Sequence, residues 1–319
     1  MNKLKIKYIC WYSGMNETFF QKFIENYMGI KTEIVKDNPD IIFFSLYKNH
    51  GTAETYCRNT PSVKLKIFYT PEDTLNTHGR GSGYDHHYLN FADLSIGFRY
   101  IEHKNYIRFP LWLTYINIQP YSMGLNCLNI NFNNIPYIDN KGFCTIVSNH
   151  DSNNTRATIC HLLSKYKTIE IAGDIFKYGK YPDIKMKRNS ISGGQHNKVK
   201  FIKNYKFNVC SESSLTKGYI SEKLFECIIS GCIPIYMADN NTIIEDNIIN
   251  NDFIIKYTND TAENAVKKII EIDTNDEKYK EHLKINPFKP NANDEIIKYY
   301  DLLKSRLLKL FESKNLYSV

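Results

Sequence analysis

The sequence predicts an α/β protein of two facing Rossmann-like domains closed by an amphipathic C-terminal helix. Three observations predict it. Apolar runs of strand length alternate with helix-length runs, the rhythm of a parallel sheet with crossover helices. That rhythm occurs twice, on either side of an Asn- and Pro-rich stretch at 118–141. The 319 residues suffice for two cores of ordinary domain size. The expected partition is an N-terminal domain with the interdomain connection at 1–140, a C-terminal domain at 141–290 and the closing helix at 291–319.

In the first series KIKYICWY, PDIIFFSLY and VKLKIFYT read as strands, and NETFFQKFIENYMG as a helix; FADLSIGFRY and YIRFPLWLTYI continue the rhythm. In the second, FCTIVSN, TIEIAG, KFNVCSE, CIPIYM and DFIIKY read as strands. NTRATICHLLSKY, EKLFECIIS and TAENAVKKIIEI read as helices, and Gly231 is placed to end the second of these as a C′ residue. NDEIIKYYDLLKSRLLKLFES has helical apolar spacing, expected to pack on its own protein.

Composition is that of an ordinary folded chain, 42% hydrophobic and 24% charged. The net charge of +7 favours anionic partners, but the lysines are spread along the chain, which argues against a nucleic-acid-binding tail. The N-terminus lacks the apolar core of a signal peptide, and no segment has the length of a membrane span. The 8 cysteines form no C-x-x-C pair and sit mostly in apolar runs, as buried thiols do.

Ligands of such sheets bind beyond the carboxyl ends of the strands. Two cationic residues stand there at helix starts, Arg156 after FCTIVSN and Lys223 in SEKLFECIIS. Each opposes the helix dipole, and the repeated pattern points to a bound anion, for which a helix N-terminus is a natural site. Asn153, Asn154 or Thr155 would cap the Arg156 helix. Glu222 has a carboxylate able to take two hydrogen bonds from a ribose diol, and Tyr219 stands just before the helix. Glu72 and Asp73, in YTPED, follow a strand and offer a general base. No Walker-type phosphate loop and no D-x-D occur; GRGSGY at 79–84 reads as a turn or lid. Asp85, His86 and His87 lack the company of a metal site, so no structural metal is expected.

These stretches resemble a family. FNVCSES…KGYISEKLFECIISGCIPIYM is similar to the donor-binding motif of the α-1,3/4-fucosyltransferases, the family 10 glycosyltransferases. FYTPED, NYIRFPLWLTYI and FCTIVSNHDSNNTRATICHLL resemble, in order, three further segments of that family. The resemblance spans about residues 65–240. It implies a GT-B-type architecture and inverting transfer of a sugar, typically L-fucose from GDP-fucose, to a hydroxyl of a glycan acceptor. It implies Arg156, Lys223 and Tyr219 for the donor diphosphate, and Glu222, Glu212 and Ser213 for the ribose and nucleoside. Glu72 would be the base, and neither a metal nor another cofactor is expected. Family motifs carry F-E-N where this chain has Ser211-Glu212-Ser213, and Gly where it has Pro71 and Ala238, which opens the donor's base and sugar. A UDP-linked or other deoxysugar donor is the alternative, and an inactive nucleotide- or glycan-binding protein the third. Without an anchor segment, the expected place is the cytoplasm of a microbe or of a virus-infected cell.

Overall fold

The computed structural model describes residues 3–11, 18–47, 52–73, 87–123, 128–131, 141–151, 154, 156–177, 183–239 and 242–317. Thus 79–84, Asp85 and His86 lie outside the described residues, as do Asn153, Thr155 and 132–140 of the expected connection. The chain divides into two units. The first comprises Met1–Asn129, Lys217–Tyr219 and Ile296–Val319; the second comprises Ile130–Thr216 and Ile220–Glu295.

In the first unit the strands are β1 (Leu4–Ile9), β2 (Thr32–Ile34), β3 (Ile41–Phe44), β4 (Leu65–Thr70), β5 (Leu94–Gly97) and β6 (Tyr106–Arg108). They form one parallel sheet in the order β2-β1-β3-β4-β5-β6. All four residues of β3 and of β5 are buried, the continuous burial of strands covered on both faces. The segment expected as one helix is a short α1 (Phe19–Lys22) running into a π-helical turn, Phe23–Tyr27. It buries Phe19, Phe20, Phe23 and Ile24. A helix α2 (Thr52–Arg58) precedes β4. YIRFPLWLTYI is not one strand: Pro110 ends it, and Leu111–Tyr115 form a 3-10 turn, since Pro donates no ladder hydrogen bond. A small pair follows, β7 (Ile116–Asn117) and β8 (Leu128–Asn129).

The second unit begins with β9 (Gly142–Val147), α3 (Ala157–Tyr166), β10 (Ile169–Ala172) and β11 (Met186–Asn189). It continues with α4 (Gln195–Ile202), β12 (Tyr205–Val209), α5 (Glu222–Ile229), β13 (Ile233–Met237) and β14 (Ile255–Tyr257). Two helices follow, α6 (Ala262–Thr274) and α7 (Asp276–Lys284). Its sheet is also parallel, in the order β11-β10-β9-β12-β13-β14. Counted from β9 this is 3-2-1-4-5-6, the Rossmann order, whose direction reverses between β9 and β12. Ile146, Phe207, Ile233, Ile235, Ile159 and Ile269 form the centre of its core.

Helix α5 ends as its sequence predicts. Gly231 has φ 66°, its N–H donates to Ile228 O, and the Cys232 N–H reaches back to Cys227 O, which is a Schellman closure. Lys141 Nζ adds bonds to the carbonyls of Ser230 and Gly231, a cation at the negative end of the dipole. The last helix, α8 (Ala292–Ser313), buries Ile296, Tyr300, Leu303, Leu307 and Phe311. These recur every three or four residues, one apolar stripe. Tyr300 caps that packing by donating to Leu113 O at 2.6 Å.

One buried carboxylate ties α6 to its neighbours. Asp273 accepts from Lys167 (2.5 Å), Tyr166 (3.0 Å) and, in an ion pair, Lys206 (3.1 Å), with its side chain 2% exposed. Burial pushes its carboxyl up, but the bonds from Lys167, Lys206 and Tyr166 outweigh that and hold it below the ordinary 3.8. A carboxyl so depressed stabilises the fold above its unfolded value and loses that contribution as pH falls through the folded one. Asp273→Asn is expected to lower unfolding free energy at pH 7 by about 1–3 kcal/mol. In urea titrations the gap to the parent should close as pH drops below 3.8. A gap that stays constant would show that the charge is not what matters.

Candidate functional site

In the second unit, the loops after β9 and β12 and the start of α5 meet at the point where strand order reverses. Arg156 is the N-cap of α3, so the cap is none of the three residues proposed from sequence. The Asp151 carboxylate serves instead, accepting from the N–H groups of Arg156 (3.1 Å) and Ala157 (2.9 Å). A carboxylate has two oxygens for two orphan donors, and its charge suits the helix start. Of the expected caps, Asn154 alone is described; it sits at φ 53° and donates its N–H to Asp151 O.

The Arg156 side chain does not reach into solvent; the residue is 3% exposed. Nε and Nη2 donate to Ser211 O at 3.1 and 2.7 Å, and Nη1 donates to His150 O. The guanidinium thus joins the loop after β9 to the loop after β12. Ser211 is held from its other side. Its hydroxyl accepts from Met237 N (2.9 Å) and bonds Tyr257 Oη (2.9 Å).

At α5, Ser221 is the N-cap, and its Oγ accepts from the Lys223 N–H. The Glu212 carboxylate accepts from Ser221 N (2.8 Å), Ser221 Oγ (2.7 Å) and Lys223 Nζ (3.2 Å). The Lys223 ammonium also donates to Ser221 Oγ at 2.8 Å. An internal carboxylate therefore faces this cation. Glu222, its side chain 17% exposed, makes both of its ion pairs through Oε1, with Lys198 at 3.5 Å and Lys223 at 3.9 Å. Burial alone would raise its carboxyl; Lys223 and Lys198 overcome that and bring it to about 2. Ser213, half-buried, follows Glu212. Within the second unit the structure thus gathers Arg156, Glu212, Glu222 and Lys223 at the loop after β12 and the start of α5. Lys198 was not recognised from sequence, although the Glu222/Glu226 pair at i, i+4 required a cation nearby.

Tyr219 and Glu72 belong to the first unit. The Tyr219 ring is 5% exposed and packs on Phe98, centroids 5.1 Å apart. Its segment is held by Arg108, another residue that sequence reasoning left without a role. Arg108 donates to Phe98 O (2.9 Å), Tyr299 Oη (2.8 Å) and Gly218 O (3.3 Å). Gly218 has φ 85°, and an added Cβ would lie 2.7 Å from Phe98 O, so glycine is required for the close approach.

Glu72 follows β4, half-buried, and its carbonyl accepts from Thr70 Oγ1 at 3.2 Å. Its neighbour differs sharply: Asp73 is 1% exposed and ion-paired with Arg99 at 3.1 Å. His87 stacks edge-on against Tyr106. Among the described residues, no group of three or more His, Cys, Asp or Glu is placed to hold a metal ion. Seven cysteines are described as free thiols, and none of the described helices is long and apolar enough to cross a membrane.

The family model for Glycosyltransferase family 10 (fucosyltransferase) C-term matches residues 139–295. The α-(1,3)-fucosyltransferase of Helicobacter pylori is 23% identical over 198 residues, which are 54% of this chain and 37% of that protein. The chain thus spans little more than a third of that relative's length. A solved α1,3-fucosyltransferase with GDP-fucose superposes with a TM-score of 0.55 at 19% identity, covering 95% of this chain and 90% of the other. An α-glucosyltransferase in complex with UDP and a 13-mer DNA gives 0.55 at 10% identity, covering 98% and 100%. The resemblance to family 10 holds, and the fold class is the expected GT-B type with parallel sheets.

The contrast between neighbouring acids can be tested by stability alone. Asp73→Asn strips a buried partner from Arg99 and is expected to cost about 1–3 kcal/mol in urea unfolding. Glu72→Gln, at a half-buried side chain, is expected to cost less than the Asp73 change. Equal losses would mean that Glu72 too is a structural group.

Proposed function

With residues 139–295 matching the family 10 fucosyltransferase model, we propose that this glycosyltransferase is inverting and moves L-fucose from GDP-fucose to a hydroxyl of a glycan acceptor, without an essential metal. The observation that carries the reading is the charged helix start at the reversal of strand order, where Glu212, Glu222 and Lys223 pair at the start of α5 and Arg156 holds Ser211 beside them.

Departure of the sugar places negative charge on the diphosphate. Fixed cations at a helix N-terminus stabilise that charge without reorganising. Lys223 supplies the ammonium and exchanges part of its bond with Glu212 for phosphate oxygen; Arg156 holds the loop that bears Glu212. Glu222, whose carboxyl Lys223 and Lys198 hold below the ordinary carboxylate range against the effect of burial, accepts from the ribose hydroxyls. Tyr219 is assigned to the phosphate side, and Ser213 to the nucleoside. Glu72 takes the proton of the acceptor hydroxyl as the oxygen of that hydroxyl bonds the anomeric carbon. The bond from that carbon to the diphosphate breaks, and the pair leaves with the nucleotide.

The second reading is a UDP-linked or other deoxysugar donor. Ser213 favours it, standing half-buried where family motifs carry an amide. The fold is shared with an α-glucosyltransferase solved with UDP. Calorimetric titration with GDP, UDP, GDP-fucose and UDP-glucose separates the two, and no binding by any of them would leave only the inactive glycan-binding alternative. Lys223→Ala is expected to weaken binding of the preferred diphosphate by about 1.5–3 kcal/mol, the worth of a charged hydrogen bond.

Glu72→Gln should leave nucleotide affinity near parental while turnover falls by about 10²–10⁴, the usual range for a lost acid–base group. Near-normal turnover would remove Glu72 from the mechanism. Transfer should persist in EDTA; activity abolished by the chelator and restored by manganese would refute metal independence.

A further inference from the structure

Lys198 lies in α4, its Nζ 3.5 Å from Glu222 Oε1, and it is also ion-paired with Glu226 Oε2. Glu222 and Glu226 are four residues apart on α5, on one face, where like charges repel. The Glu226 side chain is 1% exposed, and neither of its oxygens has a hydrogen-bond partner of ordinary geometry. The ion pair with Lys198 is what compensates it. Burial pushes the Glu226 carboxyl up against the pull of Lys198.

A buried Glu–Lys pair is a poor way to stabilise a helix contact. Well-packed apolar side chains of similar volume do as well or better, because both charges must be desolvated. The arrangement is better suited to placing a third group. Glu226 fixes the ammonium from within, and the ammonium holds Oε1 of Glu222 at the mouth of the loop. Lys223 approaches the same oxygen at 3.9 Å. Both cations therefore engage Oε1 of Glu222, and together they fix the carboxylate at the start of α5.

We propose that Lys198, backed by Glu226, is a positioning residue that sets the Glu222 carboxylate for the ribose diol of a bound nucleoside diphosphate. This rests on the reading of Glu222 as the ribose ligand. Lys198 acts through its ion pair with Glu222, so its loss is expected to remove ribose recognition and leave recognition of the phosphates.

The test compares GDP with 2′,3′-dideoxy-GDP by calorimetry, or the corresponding uridine pair where UDP binds more tightly. The parent is expected to prefer the natural nucleotide by about 10- to 100-fold, the value of a charged hydrogen bond to the diol. Lys198→Met should reduce that preference to about threefold or less while affinity for the dideoxy form stays within about threefold. Lys198→Arg, which keeps the charge, should retain most of the preference. If Lys198→Met does not fold, Lys198→Met/Glu226→Met replaces the whole buried pair by apolar groups, and the same ratio is read. A Lys198→Met protein that discriminates as the parent does, or that loses both nucleotides equally, overturns the proposal alone. A parent that binds both forms equally, or neither, overturns the ribose assignment of Glu222 and this proposal with it.

Discussion

A guanidinium 3% exposed must have its donors satisfied, and Arg156 satisfies them on two carbonyls, Ser211 O and His150 O. That single requirement orders the rest of the site. It draws the loop after β12 onto the loop after β9, across the reversal of strand order where an open α/β sheet leaves a crevice. The Ser211 hydroxyl then locks to Met237 N and Tyr257 Oη, so the ends of β13 and β14 set the same residue. Glu212 follows directly, and its carboxylate fixes Ser221. The start of α5 is thus located by a relay that begins at Arg156.

The relay also explains how α5 tolerates a lysine in its first turn. The dipole disfavours a cation there by some tenths of a kcal/mol. Glu212 at 3.2 Å and Glu222 at 3.9 Å more than offset that locally, and Lys141 improves the opposite end. The lysine is therefore stable in the absence of a ligand. Its ammonium is bound by the Glu212 carboxylate and the Ser221 hydroxyl, so its charge is met within the second unit itself.

What the sequence reveals follows from which signals are local. The central strands, such as β3, β5 and β13, are apolar runs with two buried faces, and they stand out. The end of α5 at Gly231 and the stripe of α8 are equally local. Helix α4 is not visible as a helix, because it is mostly polar and follows Gly193-Gly194, which reads as a loop. β11, Met186–Asn189, is a polar strand without a buried residue, so it has no apolar pattern to find. In the site, the residue types and their order along the chain were legible, but not their partners. Asp151 as the cap, Glu212 as the anion of Lys223 and Asp73 as the mate of Arg99 are contacts made by folding. The first leaves the ordinary Asn/Thr capping choices looking equally good, and the last makes two adjacent acids look interchangeable when one is buried.

The departures from the family motif at 211–213 weigh differently once their surroundings are known. Ser211 has no exposed surface, and both its hydroxyl and its carbonyl are engaged in holding strands and Arg156. Where the family motif has an aromatic, the smaller side chain is part of a buried hydrogen-bond network. Glu212, unchanged from the motif, is likewise occupied with Ser221 and Lys223. Of the three residues, Ser213 alone retains partial exposure. Positions 211 and 212 are thus occupied in holding the loop after β12 and the start of α5, and the departure at 213 is the one that leaves surface exposed.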